Sequence, residues 1–421
     1  MPALLAVLIC ILKFVAGEPN NLIVIPLDKQ YVPIYRGEDV VAYKTAYFGD
    51  IFVGSPSLEF SVVFDTGSGH VFLPSVKCES EACRAHRRYN ESASSSAIQL
   101  DHEGLWDGRG ERDEVAISFG TGEVIGNFVE EAVCLSSSKL TDGACARVRL
   151  VTANQMTDEP FQNFRFDGVI GLGLASLAVD SQFSFFEQMA RSGEHFLPQF
   201  GYFLSERDDV ASEICFGGHD VRHMRSSLQW APVHEPHKGF WQVKILRVTV
   251  NGEDFPFCAD GSCVAIADTG TSLIGAPRAA ATPLHRQLAR KVPPGIQDDI
   301  DCRNVEGPEL VFELDGGVAV TLSGREYSRA AAMKVVNKQQ EVQLVCRATL
   351  LPVDPSPSLG EKAFILGQPL LQKYYTVYDW EQQRVGFALA QQASTEDSAG
   401  AGRHKIYGSQ GALPKSSIVH V

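Results

Sequence analysis

Two short segments of the chain carry the same chemically useful residues at the end of an apolar strand. Residues 62–68 read VVFDTGS and residues 265–272 read AIADTGTS, so Asp65 and Asp268 occupy equivalent places. One such segment alone is typical of a strand that ends in a β-turn, because Asp and Gly are common turn residues. A buried carboxylate, however, is costly unless another group pairs with it or uses it. The second copy therefore favours a functional role for both aspartates.

A second repeated pattern indicates that the two segments belong to two related halves. The sequences FDGVIGLG at 166–173 and FILGQPL at 364–370 each follow one of the DTG segments at a similar distance. A chance origin explains a single DTG segment but not this paired arrangement. Two duplicated halves related by an approximate two-fold axis would bring Asp65 and Asp268 face to face.

Two facing carboxylates have a defined chemistry. They cannot both ionise cheaply at a separation of a few ångströms, so the pair shares one proton and titrates as a unit. The ionised member can act as a general base toward water, and the protonated member can polarise a carbonyl group. Such a pair is equipped to hydrolyse an amide bond without a covalent intermediate.

The residues that follow each aspartate are predicted to support it in matched pairs. The threonines would hydrogen-bond across the axis, the next hydroxyl residues would hold the outer carboxylate oxygens, and the glycines would let a substrate backbone approach. In that order, the pairs are Thr66 and Thr269, Ser68 and Thr271, and Gly67 and Gly270.

Length and charge limit the classes of protein to consider. With 421 residues, the chain is too long for one compact core, so two domains or lobes are expected. The net charge of −14 disfavours a nucleic-acid-binding surface. The apolar run 3–12 is too short to cross a bilayer and is predicted to be part of a signal peptide, 1–17. We therefore expect no transmembrane anchor, and a protein that is secreted or held in an acidic lysosome-like or secretory organelle.

Ten cysteines indicate an oxidising compartment. Cys10 would leave with the signal peptide, and four bridges between sequence neighbours would leave Cys215 unpaired. The C-x4-C spacing is not that of common zinc sites, so no metal is expected. Asn90 begins the sequon NES and is a candidate for glycosylation.

Alternating apolar residues and many turn signals predict a mainly β chain with few helices. The predicted strands are 58–64, 115–119, 147–152, 241–250, 311–322 and 374–378, and the predicted helices are 183–192 and 279–292. Residues 84–114 are predicted to be an exposed loop, and 391–421 a disordered tail.

These motifs resemble those of the pepsin-like aspartic endopeptidases, and the protozoan, plasmepsin-like members more than the digestive ones. The resemblance runs from about Tyr47 to Ala390 and includes both DTG loops, FILG at 364–367 and RVGFA at 384–388. It implies a mainly β, bilobal pepsin-like fold with a cleft between two related lobes. The implied divisions are a signal peptide 1–17, a short prosegment-like region 18–34, an N-terminal lobe 35–223, a C-terminal lobe 224–390 and the tail 391–421.

The resemblance also implies an activity. A water molecule activated between Asp65 and Asp268 would hydrolyse peptide bonds of an extended polypeptide, with preference for bulky hydrophobic residues and acidic pH. A monomer that needs no cofactor is expected. The family's flap hairpin falls on 115–126, where Phe119, Gly120 and Thr121 would contact substrate together with Gly67, Gly270 and Thr271. The implied disulfides are Cys78–Cys83, Cys258–Cys263 and Cys302–Cys346, with Cys134–Cys145 as an additional one.

Several departures from the family pattern leave alternatives open. Phe119 and Phe72 stand where the family usually has Tyr and Trp, and Gln368 stands where Asp is frequent. The basic helical part of a prosegment has no counterpart, which predicts weak or absent autoinhibition. The alternatives are a catalytically silent pepsin-fold protein that binds peptides or glycans, and a cell-surface protein that uses the loop 84–114. Retention of both DTG loops favours the enzyme.

Overall fold

The computed structural model describes residues 22–36, 39–102, 104–120, 122–137, 144–192, 197–292, 300–336, 342–393, 405–408 and 418–420. Its strands form a large sheet of sixteen strands, a second of eight and a small sheet of four. The predicted mainly β class is confirmed. Thr121, the predicted signal peptide and most of the predicted tail lie outside the described residues.

The largest sheet contains most strands of the first half and the last strands of the chain. Its members are β1 Ile23–Arg36, β2 Asp39–Val53, β3 Leu58–Asp65, β4 Val71–Pro74, β5 Ile98–Asp101, β6 Gly104–Leu105, β7 Glu114–Phe119, β8 Gly122–Cys134, β9 Cys145–Met156, β10 Gly168–Gly171, β11 Leu197–Phe203, β12 Ser212–Gly217, β13 Gln229–Pro232, β25 Tyr374–Asp379, β26 Arg384–Leu389 and β27 Ile406–Tyr407.

The second half builds the other two sheets. The eight-stranded sheet consists of β14 Gln242–Val250, β15 Glu253–Asp254, β16 Val264–Ala267, β17 Ile274–Pro277, β19 Leu310–Leu314, β20 Val318–Leu322, β23 Leu350–Val353 and β24 Ala363–Leu366. The four-stranded sheet consists of β18 Arg290–Lys291, β21 Met333–Val336, β22 Val342–Cys346 and β28 Ile418–His420. The α-helices are α1 Glu81–Arg84, α2 Asp158–Phe161, α3 Phe185–Ser192, α4 Arg278–Leu288, α5 Gly324–Tyr327 and α6 Gln368–Lys373.

The two halves repeat one strand arrangement around each DTG segment. In the first half, β3 runs parallel to β10, which is also antiparallel to β4. In the second half, β16 runs parallel to β24, which is also antiparallel to β17. The internal duplication read from the sequence is therefore present in the fold.

One sheet joins the two halves. Strands β25 and β26 from the end of the chain continue through β11 and β12 of the first half to β1 and β2. Its packing includes Phe200, whose ring stacks on Tyr378 with centroids 4.6 Å apart. Trp241 is fully buried nearby and donates a hydrogen bond from Nε1 to the Leu172 carbonyl at 2.7 Å. This apolar junction fixes how the two halves face each other.

Two predictions about loops and ends differ from the structure. The segment 84–114 contains β5 and β6, and it is held by the fully buried Glu131, which accepts hydrogen bonds from the hydroxyls of Tyr89, Ser94 and Ser96. Residues 405–408 lie beside β1, so the predicted disorder does not extend to them. The segment 84–114 is ordered because the buried carboxylate of Glu131 needs hydrogen-bond donors. Residues 405–408 are ordered because they pair with the open edge of β1.

The four disulfides have the predicted pairing, and Cys215 is a buried free thiol. Within the described residues, no helix has the length and apolar character needed to cross a membrane. The boundaries of the two lobes stay predictions.

Candidate active site

Asp65 and Asp268 are each placed by a parallel pair of strands. Asp65 is the last residue of β3, and its carbonyl accepts a hydrogen bond from the Leu172 amide at 2.7 Å. Asp268 directly follows β16, and its amide donates to the Leu366 carbonyl at 3.2 Å. In each half, the strand that carries the motif after the DTG segment, β10 or β24, therefore fixes the backbone of the aspartate.

The threonines after the two aspartates tie the halves together. The Thr66 amide donates to Oγ1 of Thr269 at 3.0 Å, and the Thr269 amide donates to Oγ1 of Thr66 at 3.0 Å. Each hydroxyl then donates onward across the axis, Thr66 to the Ala267 carbonyl at 2.8 Å and Thr269 to the Phe64 carbonyl at 2.7 Å. The structure thus contains the predicted threonine contact, and four hydrogen bonds fix the two loops at one separation.

The space around the glycines shows how closely the carboxyl groups approach. A Cβ atom added to Gly67 would lie 2.8 Å from Cγ of Asp268, and one added to Gly270 would overlap Oδ1 of Asp65. Each glycine therefore makes room for the aspartate of the other half. This reason differs from the predicted one, which was the approach of a substrate backbone.

Hydrogen bonds support the two carboxylates unequally. The Gly270 amide donates to Oδ1 of Asp268 at 2.8 Å, and the Thr271 hydroxyl donates to its Oδ2 at 2.6 Å. Asp65 accepts from the Gly67 amide at 2.9 Å. The prediction for Thr271 is confirmed.

The prediction for Ser68 is wrong. Its Oγ atom is buried and has no hydrogen-bond partner among the residues that the structure describes. The Ser68 hydroxyl therefore makes no hydrogen bond to the carboxylate of Asp65.

The electrostatics of the pair favour a single shared proton. Both aspartates keep part of their surface exposed, but protein atoms surround Asp268 closely. Burial, and then the negative charge of Asp65, raise the pKa of Asp268 to about 7, although the Thr271 and Gly270 hydrogen bonds oppose this shift. One proton is therefore held on the pair at acidic pH.

A hairpin of β7 and β8 forms the predicted flap. Phe119 pairs with Gly122, and Gly120 in the turn has a φ of +55°, a conformation that favours glycine. The Phe119 ring lies 4.9 Å from that of Phe72 and 6.4 Å from that of Phe161. Phe161 was missed because it belongs to the short helix α2, far from both partners in sequence and outside any repeated pattern.

A comparison with protein families decides the identification. The family described as eukaryotic aspartyl protease has a model that matches residues 46–390. The chain belongs to this family. Aspartyl proteases are peptide-bond hydrolases, so the predicted class of enzyme and the predicted resemblance to pepsin-like proteins are confirmed. The closer likeness to protozoan members stays a prediction.

Curated relatives place this aspartyl protease among pepsin-like enzymes. It is 33% identical to cathepsin E of Rattus norvegicus over 349 residues, which cover 82% of this chain and 80% of the relative. It is 30% identical to pepsin A of Suncus murinus over 344 residues, covering 81% and 80%. It is 29% identical to gastricsin of Macaca fuscata fuscata over 358 residues, covering 84% and 86%.

The aspartyl protease also has a neutral contact between its halves that the sequence did not predict. The hydroxyl oxygen of Tyr47 on β2 accepts from Nε2 of Gln368 at 3.1 Å and from Nε2 of Gln372 at 3.2 Å. The Gln368 amide donates to the Thr271 carbonyl at 2.9 Å. The loop of Asp268 is thereby linked to β2 through groups that carry no charge.

One cluster of metal-ligand residue types lies away from the aspartates. Ligand atoms of Glu213, Asp220 and His223 lie within 4.8 Å of one another. These side chains already have partners, since Nε of Arg222 donates to both oxygens of Asp220 at 3.0 and 2.9 Å, and His223 lies 2.7 Å from Glu213. The Arg222–Asp220 ion pair and the contact between His223 and Glu213 account for the proximity of these groups.

Proposed function

We propose that Asp65 and Asp268 are the catalytic pair with which this pepsin-like aspartic endopeptidase hydrolyses extended polypeptides. The observation that carries the proposal is the close approach of the two carboxyl groups, each of which lies against the glycine of the opposite DTG loop. Thr66 and Thr269 support the role by fixing the loops, and Thr271 supports it by orienting Asp268.

The two carboxyl groups exchange roles as acid and base during the reaction. Water attacks the scissile carbonyl carbon while the ionised carboxylate takes a proton from that water. The protonated carboxyl group gives its proton to the carbonyl oxygen, which yields a tetrahedral diol. One diol hydroxyl then returns a proton to the ionised carboxylate, and the other carboxyl group protonates the leaving nitrogen as the C–N bond breaks. An acid and an amine leave, and the pair again holds one proton.

We propose that the substrate binds as an extended strand under the flap. Gly120 in the turn of the flap offers backbone groups to it, as strand addition requires, while Gly67, Gly270 and Thr271 line its path beside the aspartates. The partly exposed ring of Phe119, supported from behind by the buried rings of Phe72 and Phe161, favours bulky apolar residues beside the cut bond.

The raised pKa of Asp268 supports an acidic working range. The one-proton form of the pair persists below about pH 7 and is lost as the pH rises through that value, since its remaining proton then leaves. Four disulfides suit an oxidising compartment. We therefore propose a monomeric enzyme of the secretory pathway, either secreted or in an acidic organelle.

Cleavage of a mixed peptide library at pH 3 to 7 tests the substrate and pH proposals. Wild type and Asp268→Asn are compared, and each is shown to be folded by circular dichroism. The expected result is cleavage between bulky apolar residues, fastest at acidic pH and lost in the variant. Absence of cleavage by folded wild type at every pH would instead support the silent peptide-binding protein.

We also propose that residues 22–36 remain part of the active enzyme. Strand β1 is built into the joining sheet, with Leu27 fully buried and the buried Lys29 ammonium 2.8 Å from Asp208. Removal of β1 would strip β2 and β12 of a partner strand. N-terminal sequencing of the purified active species tests this. Activity that arises only after a cut near residues 30–36 would contradict it.

A further inference from the structure

The segment 405–408, near the C-terminus, adds a strand to β1, near the N-terminus. Strand β27 pairs in parallel with β1, so that Ile406 faces Lys29 and Tyr407 faces Gln30. The Lys29 amide donates to the Lys405 carbonyl at 3.0 Å, and the Lys405 amide donates to Oδ1 of Asp28 at 2.6 Å. The segment 405–408 is thus held by backbone groups in the way that a bound peptide is held.

The edge of β1 explains why an extended segment fits there. Strand β12 covers this edge only from Ile23 to Leu27, because its first residue, Ser212, is the partner of Leu27. Beyond Leu27 the backbone of β1 would present unpaired N–H and C=O groups, which readily pair with another chain. The segment 405–408 occupies this open edge.

A slot for an aromatic side chain lies next to that edge. The Tyr407 ring stacks on the buried Phe48 ring, with centroids 5.9 Å apart and planes 19° apart. The Arg165 guanidinium carbon lies 4.4 Å from the Tyr407 ring centroid, which is a cation–π distance. Gly408 follows with a φ of +74°, and a Cβ atom there would lie 2.8 Å from the Tyr31 carbonyl oxygen. The site therefore fits an aromatic residue followed by glycine.

The walls of the slot are held independently of the segment. The Gln30 side chain donates to the Asn163 carbonyl at 2.9 Å and accepts from the Arg165 amide at 2.9 Å. A cavity of about 490 Å³ remains beside Tyr407, with Ser61 and Phe164 also in its lining. The groove therefore continues beyond the Tyr407 ring.

We infer that the edge of β1 and the slot formed by Phe48 and Arg165 are a second peptide-binding groove, outside the active site. It recognises an extended segment that carries an aromatic residue followed by glycine, and its resident occupant is the segment 405–408 of the same chain. Asp65 and Asp268 make none of the contacts that define the groove, so the inference stands apart from the proposed function.

Hydrogen exchange on the full-length chain tests the resident contact. All proteins carry Asp65→Asn, so that added peptides are not cut. In Tyr407→Ala, the Lys29 amide is expected to exchange at least tenfold faster than in the parent, because its bond to Lys405 is weakened. The matched control is Tyr35→Ala, since Tyr35 is on β1 but 62% exposed. Unchanged exchange at Lys29 in Tyr407→Ala would overturn the inference.

A peptide probe tests recognition directly. A fluorescein-labelled peptide of residues 403–410, RHKIYGSQ, is titrated against the full-length parent and the Tyr407→Ala protein. Binding to Tyr407→Ala is expected to be at least tenfold tighter, because the resident segment no longer competes. The same peptide with alanine in place of its tyrosine is expected to bind at least tenfold more weakly. Equal binding of both peptides, or no binding to Tyr407→Ala, would overturn the inference.

Discussion

At the scale of residues, the two aspartates share a symmetric backbone but not a symmetric environment. Thr271 donates its hydroxyl to Asp268, whereas the hydroxyl of Ser68 is buried without a partner among the described residues. An unpaired buried hydroxyl costs free energy, and one that bonds a carboxylate favours its ionised form. The duplicated loops therefore give the pair one well-supported carboxylate and one with less support.

Thr271→Val should move the pH profile, whereas Ser68→Ala should not. Loss of the Thr271 hydroxyl removes a bond that lowers the pKa of Asp268, so that pKa rises. The one-proton form then persists to higher pH, and the upper limb of kcat/KM against pH shifts upward by about one unit, as the strength of such a bond implies. An equal shift in the serine variant would contradict this asymmetry.

The threonine contact should be cooperative. Thr66→Val or Thr269→Val alone leaves the opposite amide without its acceptor and should lower the free energy of unfolding by about 1–3 kcal/mol. The double variant should cost less than the sum, because both changes break the same network, with a coupling of about 1 kcal/mol. Urea unfolding of the four proteins measures this cycle. Strict additivity would show that the two hydroxyls act separately.

The repeated DTG motif was sufficient to identify the two aspartates. Asp65 and Asp268 could be paired from sequence because their neighbours and following motifs match in order. The hydroxyl of Ser68 could not be placed, since residue type gives donors but not the rotamer they adopt. Tyr47, whose partners are Gln368 and Gln372, carries no signal in its own segment.

At the scale of elements, the tip of the flap hairpin packs against phenylalanine rings, whose side chains form no hydrogen bonds. Phe72 is fully buried and contacts both Phe119 and Phe161. Aromatic pairs at these separations contribute about 0.5–1.5 kcal/mol beyond their buried area. The tip of the hairpin, beyond its pairing with β9, is thereby packed on aromatic rings where the family usually has polar side-chain ends.

Phe161→Ala should therefore weaken substrate binding more than chemistry. KM for a peptide with bulky apolar residues at the cut should rise by about two- to tenfold, as loss of one aromatic contact implies, while kcat falls less. The matched control is Phe164→Ala, because Phe164 stacks on Phe166, with centroids 5.1 Å apart, and lies in the same segment. An equal rise of KM in both variants would contradict the assignment.

Regular elements could be predicted and irregular ones could not. The strand predicted at 58–64 is β3 with one more residue, because its apolar alternation is local. The prediction of one strand at 311–322 missed the turn at 315–317 that separates β19 from β20. The sequence of 84–114 predicts a loop because Glu131, which orders the segment, lies outside it.

At the scale of the whole molecule, the shared sheet and the threonine contact hold two carboxylates close together. This arrangement lowers the stability of the folded state as the pH rises. The ordinary pKa of an aspartate is 3.8, and that of Asp268 in the folded protein is about 7. Between these values the folded state binds more protons than the unfolded state, so its stability falls as the pH rises. The close placement of the two carboxyl groups is therefore a source of instability near neutral pH.

Asp268→Asn should relieve that instability. Asparagine does not titrate, so the variant should exceed wild type in free energy of unfolding by about 1–3 kcal/mol at pH 7.5, a value reduced for the coupling of the pair. The difference should vanish near pH 4, where the carboxyl group is protonated in the folded state. Urea unfolding at both pH values measures it. A difference that is the same at pH 4 and 7.5 would argue against the shared proton.

Long-range contacts mark the limit of sequence reasoning at this scale. The two halves could be inferred because the duplication repeats entire motifs. The contact between Asp28 and Lys405 joins residues 377 positions apart. No pattern in either segment predicts that it pairs with the other. The place of β1 in the joining sheet also depends on pairing with β12, which local patterns do not specify.

The most direct test of the account is the pH dependence of kcat/KM for one apolar peptide with wild type, Asp65→Asn and Asp268→Asn, each shown to be folded. The account predicts activity that falls as the pH rises through about 7 in wild type and a loss of at least about a thousandfold in both variants at every pH. Activity within tenfold of wild type in either folded variant would contradict the claim that the two carboxyl groups act as one catalytic pair.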